Sequence, residues 1–145
     1  MVNDSNLDAI NEVYKNASVA LLSISNVMPE IVDTELKKEI LEEYDGYEKI
    51  LGEITKYMTE KGYEAKEVGT MKKFMMKSGI KMNTMVDDSE SNIAQIMIKG
   101  TVMGITELCE LINNSETVTD RKIIEYAEEL KKLEETYEER LKKFL

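Results

Sequence analysis

Leu7, Ile10, Tyr14, Ala17, Leu21, Ile24 and Met28 follow one another at alternating spacings of three and four. That rhythm averages 3.5 residues and marks the seam of a helix lying along other helices. It predicts a first helix over about residues 4–28, widened by Val13, Ala20 and Val27 and flanked by the small polar Asn11, Ser18 and Ser25. Asp4 or Ser5 can cap its start. Pro29 stops it, because the residue before a proline is pushed away from α geometry.

The rhythm resumes after Asp33 or Thr34, either of which can serve as an N-cap. Leu36, Ile40, Tyr44, Tyr47, Leu51, Ile54 and Met58 predict a second helix over about 34–61, and Gly62 sits where a left-handed residue closes a helix. A third is predicted over about 68–86, with Met71, Phe74, Met75, Gly79, Met82 and Met85 inward. The run DDSES at 87–91 breaks it, and a fourth helix follows over about 90–113. NNSET at 113–117, then Thr119 or Asp120, precede a fifth helix over about 120–143. Its apolar residues are Ile123, Tyr126, Leu130, Leu133, Tyr137 and Leu141, with Phe144 just beyond. No alternating strand pattern and no internal repeat interrupts the series. The expectation is all-α: an antiparallel four-to-five-helix bundle forming one domain over residues 1–145.

The helix over 90–113 is unlike the rest. Ile93, Met97, Gly100, Gly104 and Leu111 line one face, and Ala94, Ile98, Ile105, Cys109 and Ile112 line another. Its polar strip is narrow, and a helix apolar on most sides is central to its fold or buried in an interface. Each helical glycine costs about 1 kcal/mol against alanine, so Gly100 and Gly104 imply a close helix approach. Gly100, Gly104, Met97, Met103 and Ile105 are therefore the expected packing or interface residues. The segment is not a membrane span, since Lys99, Glu107 and Glu110 would each cost about 2.5–3.5 kcal/mol near mid-bilayer.

Composition narrows the functional field. The net charge of −10, from 29 acids against 19 bases, repels phosphate backbones and anionic membranes, so neither nucleic acid nor membrane is an expected partner. Lys73, Lys77 and Lys81 recur every four residues as a local basic stripe, a solvated edge in the plain reading and a docking face for an acidic partner in the functional one. The single Cys109 excludes an intrachain disulfide framework and suits a reducing compartment. With no basic and apolar leader at MVNDSNLDAI, a cytoplasmic location is expected.

Histidine is absent, which removes the usual general base and the commonest metal ligand. Cys109 lies on an apolar face without an imidazole partner and is expected to be inert. Two carboxylates occupy positions that should be apolar: Glu43, between Ile40 and Tyr47, and Glu107, in register with Gly100, Met103 and Leu111. Either they form a buried pair able to act on protons or hold a hard metal, or each sits at the edge of its stripe and reaches solvent or a tyrosine hydroxyl. The cost of burying an unpaired carboxylate favours the edge. Of the ten methionines, seven lie between Met71 and Met103; filling gaps in the core is the plain reading, and soft-metal binding or an adaptable hydrophobic groove the functional ones.

The stretches LDAINEVYKNASVALLSISNVMP and VGTMKKFMMKSGIKMNTMVDDSESNIAQIMIKGTVMGITEL, above all IKMNTM followed by IAQIMIKGTVMGI, resemble small bacterial ferritin-like proteins. The resemblance covers most of residues 7–108 and implies a ferritin-like bundle, a superfamily in which many members hold a di-iron carboxylate site. The ferritin-type site takes a Glu from each of two helices and Glu-x-x-His from each of two others. Here Glu43 is followed three residues on by Gly46, and Glu107 by Glu110. The resemblance thus carries over the fold and not the iron chemistry. The leading expectation is a non-catalytic bundle acting through protein contacts as a homo-oligomer, with no cofactor. Two alternatives stand beside it: metal binding through carboxylates alone, at Glu43 and Glu107, and small-molecule binding in a Met-lined cavity.

Overall fold

A computed structural model describes residues 3–65 and 89–145. Helix α1 (Asp4–Val27) starts where Asn3, in extended backbone, accepts a hydrogen bond from the Asn6 N–H at 3.1 Å. The cap is therefore Asn3, one residue ahead of the expected Asp4 or Ser5. Pro29 ends the helix as a 3-10 turn, Met28–Glu30, in which the missing proline N–H costs nothing. Asp33 caps α2 (Thr34–Lys61) through the Leu36 N–H, and Gly62 closes it at φ 76°, a conformation that glycine alone adopts without strain. Ser89 caps α3 (Glu90–Asn113), and Asp120 caps α4 (Arg121–Lys142). The predicted helix over 68–86, its methionines and the Lys73, Lys77 and Lys81 stripe lie outside the described residues. Among the described residues there is no strand, and no helix is long and apolar enough to cross a membrane.

Side-chain bonds fix the directions of the helices. Asn6 near the start of α1 bonds Thr119 and Asp120 ahead of α4, and Asn11 Nδ2 donates to the Glu64 carbonyl beyond the end of α2 at 2.9 Å. At the opposite end Arg140 of α4 reaches Glu39 of α2, while Ile31 and Leu36 share a groove with Ser89 and Ile93. So α1 and α4 run one way, and α2 and α3 run the other. The α3–α4 pair has the most extensive packing.

All four helices contribute to one core, with Ile10, Ile24, Leu36, Ile40, Ile54, Ile93, Leu108, Ile123, Leu130 and Leu141 withdrawn from solvent. Each such side chain stabilises the fold by about 1.5–3 kcal/mol. The inward stripes of α2 and α4 keep most of the expected positions, but a local one-residue rotation replaces Tyr44 and Leu51 in α2 and Leu133 in α4. In α2 the buried positions include Leu36, Ile40, Glu43, Tyr47, Ile50 and Ile54, while the expected Tyr44 and Leu51 are half-buried. In α4 they include Ile123, Ala127, Leu130, Glu134, Tyr137 and Leu141, while Leu133 is half-buried. Both sets keep the alternation of four and three without a miss. The rotation brings two carboxylates into the middle of the molecule.

Candidate functional site

Glu43 occupies a core position of α2 and is 1% exposed. One turn earlier lies Glu39, also buried, which Arg140 of α4 clasps: Nε donates to Glu39 Oε1 at 3.0 Å and a terminal nitrogen reaches the same oxygen at 2.8 Å. Arg140 also pairs with Glu42 and lies over the Tyr137 ring, 5.6 Å from its centroid. Burial raises the pKa of Glu43 far above the usual carboxylate range, and hydrogen bonding to Glu39 and its charge push it further, against the opposing pull of Arg140. The Glu43 carboxyl accordingly holds its proton more tightly than an exposed carboxyl does. Glu39 Oε2 and Glu43 Oε2 have no hydrogen-bond partner among the described residues.

Glu134 holds the corresponding place in α4, 2% exposed. Burial raises its pKa well above the ordinary 4.5, and the charge of Glu107 adds to the shift. Gly104 of α3 makes room for it: a Cβ there would stand 2.7 Å from Glu134 Oε1 and 3.4 Å from Asn16 Nδ2. The same gap lets Asn16 of α1 donate from Nδ2 to the Gly104 carbonyl at 3.0 Å. Three helices therefore meet at this glycine. Two buried acceptors there, Asn16 Oδ1 and Glu134 Oε1, have no donor among the described residues.

These side chains line one cavity of ≈ 50 Å³ between the helices, together with Tyr47, Thr101 and the apolar Val19, Ala20, Ile24, Ile96 and Met97. Its volume suits roughly three water-sized groups. Burial, then the charges of Glu134 and Glu43, raise the Tyr47 hydroxyl pKa. The Thr101 hydroxyl is spent on the Met97 carbonyl at 2.8 Å. Glu107 is half-buried on the rim; burial raises its pKa, Lys15 opposes the shift, and Glu12 and Glu110 add to it. Glu107 and Asn16 also line an outer groove with Glu12, Lys15 and Glu110, so the groove opens next to the cavity.

The two acids singled out from the sequence, Glu43 and Glu107, thus line the same cavity. For Glu43 the edge position is overturned, because the one-residue rotation of the α2 stripe puts it at the centre. Gly100, Gly104, Met97 and Met103 line the cavity too, Met103 with its other side exposed, whereas Ile105 is half-buried elsewhere on α3. Cys109 is partly buried and does not line it. Sequence reasoning missed Glu134, Glu39 and Asn16. The unbroken spacing of 123, 127, 130, 134, 137 and 141 was the available signal for the first of these.

The acids surround the cavity without converging on a point. Among the described residues no three His, Cys, Asp or Glu side chains stand close enough to share a metal ion. They do not fit the di-iron set of a ferritin-type site, which also needs histidines that the chain lacks. Comparison with protein-family models, with curated proteins and with solved structures finds no match for this chain.

Proposed function

We propose that this protein is a non-catalytic helical bundle that binds a small ligand in the cavity between its helices. The observation carrying the reading is the pair of buried acceptors without donors, Asn16 Oδ1 and Glu134 Oε1, on the wall of that cavity. A buried acceptor left unmatched costs about 1–3 kcal/mol, a cost that a donor-bearing ligand removes. The ferritin-like resemblance supports the placement, since such bundles build their sites at the centre from facing helices. Binding is favoured over catalysis because the lining holds no imidazole and its one threonine hydroxyl is already bonded within α3. The lone Cys109 supports a cytoplasmic setting.

A thermal-denaturation screen of water-soluble compounds no larger than the cavity tests the reading. At least one is expected to stabilise the protein by about 2.7 kcal/mol when present at a hundred times its dissociation constant. The effect should vanish in Ala20→Met, which fills the cavity from α1. If no compound stabilises the protein, the reading fails.

A second reading, self-association along α3, rests on the exposure of Val102 and Met103. Light scattering decides it: a monomer at micromolar concentration removes it and leaves the cavity untouched.

A further inference from the structure

The class of ligand follows from the donors, acceptors and charges around the cavity, on the reading that the cavity binds a ligand at all. We infer that it takes a small primary ammonium ion, whose N–H groups meet Asn16 Oδ1 and Glu134 Oε1 and whose short alkyl group packs on Ala20, Ile24 and Met97. Asn16 cannot turn round to become a donor, because its Nδ2 is committed to the Gly104 carbonyl at 3.0 Å. Asn16 Oδ1 is therefore an acceptor, and Glu134 Oε1 becomes a full one once its carboxyl is ionised. A neutral donor would satisfy them, but charge selects a cation. The groove beside the cavity presents Glu12, Glu107 and Glu110 against Lys15, and the half-buried Arg140 is occupied by Glu39 and Glu42.

Other cations fit less well. A divalent metal wants about six oxygen ligands in a tight shell, and the described acids do not converge. A guanidinium is planar with five N–H groups and suits a paired carboxylate fork. Here the unmatched acceptors are one carboxyl oxygen and one amide oxygen on separate helices, in a cavity that Glu43, Glu107 and Tyr47 also line. The ≈ 50 Å³ volume limits the guest to roughly three non-hydrogen atoms, the size of methyl- or ethylammonium.

The ammonium also changes the protonation of the site. Glu134 is faced by Glu107 and Gly104 from α3, Asn16 from α1, and Tyr47 and Glu43 from α2, none of which is a cation. Burial and the charge of Glu107 therefore raise its pKa in the ligand-free protein. An ammonium beside it stabilises the carboxylate, so binding releases about one proton, which leaves through the groove at Glu107. The apparent affinity then rises about tenfold per pH unit for as long as free Glu134 stays protonated.

Titration calorimetry of the full chain with methylammonium chloride, in two amine-free buffers of different ionisation heat, tests the inference. Acetamide and MgCl₂ serve as the comparison ligands. The expected result is methylammonium binding with about one proton released, roughly tenfold or more tighter at pH 8 than at pH 6. Glu134→Gln, nearly isosteric and checked for folding by circular dichroism, is expected to abolish the proton release and weaken binding at least about tenfold. Acetamide binding in the cavity, lost in Ala20→Met, without methylammonium binding would overturn the ammonium and leave the cavity reading intact. Preference for Mg²⁺, or methylammonium binding indifferent to Glu134→Gln, would also overturn it. Binding of none of the three would remove both.

Discussion

Two polar clusters interrupt the apolar interior, and they are built on opposite plans. At one end of the bundle Asp120 accepts hydrogen bonds from the Tyr57 hydroxyl at 2.7 and 2.8 Å and from the Tyr63 hydroxyl at 2.7 Å. It also caps α4 through the Lys122 N–H. Beside it the Asn6 side chain gives its N–H to Thr119 Oγ1 and takes the Thr119 and Asp120 N–H groups on its oxygen. Donors and acceptors match there, and the cluster ties α1, the end of α2 and the start of α4 together. At the centre, Asn16 and Glu134 each keep an unmatched acceptor next to a cavity. A closed network holds a fold; an open one has room for something else. The same distinction shows in the tyrosines. Burial and the Asp120 partnership push the Tyr63 hydroxyl up to about 12, whereas Tyr47 is raised by burial and by acids that stand near it.

Substitutions can break this contrast, and the largest effect belongs to the point where the central cluster meets the backbone. Gly104→Leu drives a branched side chain into Glu134 and Asn16 and is expected to cost about 3 kcal/mol or more in urea denaturation at pH 7. A cost under about 1 kcal/mol would mean that α1, α3 and α4 do not meet at that glycine. Gly46 is a second point of close approach, where a Cβ would collide with the Tyr137 hydroxyl. In the closed cluster, Asp120→Ala leaves two tyrosine hydroxyls without their acceptor and removes a helix cap, for an expected loss of about 2–3 kcal/mol.

The open cluster should respond in the opposite direction. The folded-state pKa of Glu134 lies above its unfolded value, so its contribution to stability is full below about pH 4.5 and falls as pH rises toward the folded pKa. Glu43 has the same sign. For both groups the stabilising contribution declines as pH rises above about 4.5. Glu134→Gln is therefore expected to raise stability at pH 7 by about 1–2 kcal/mol, with the gain fading toward pH 4. Parallel denaturation curves at the two pH values check this, and a loss of stability at pH 7 would contradict it. The smallest effect is expected at the surface. Lys131→Ala removes a 3.8 Å pair with Glu135 and should change stability by less than about 0.5 kcal/mol in the same assay.

Much of this fold was legible in the sequence because helix packing leaves a period. The bounds of α1 through α4 fall within a residue of the expected ones, and Asp33, Gly62 and Asp120 do the capping their residue types suggest. The site was half legible. Glu43 and Glu107 stood out because a carboxylate among isoleucines and glycines has no packing reason. Glu134 did not, because it sits beside Leu133 in a helix crowded with Glu and Lys. The stripe through Leu133 alternates three and four as far as Tyr137 and breaks only at Leu141, so spacing alone separated the two choices weakly. Asn16 was hidden for another reason. Its role depends on Gly104, 88 residues away, and on a contact that no local pattern records.

The carboxyl of Glu134 is the atom group on which the contrast turns. A carbon-13 pH titration of its side chain in the ligand-free protein measures it directly. The expected result is an acid that stays protonated through pH 7 and shifts to the carboxylate form when methylammonium is added. A midpoint near 4.5, the ordinary carboxylate value, would contradict the open, proton-bearing centre described for this bundle.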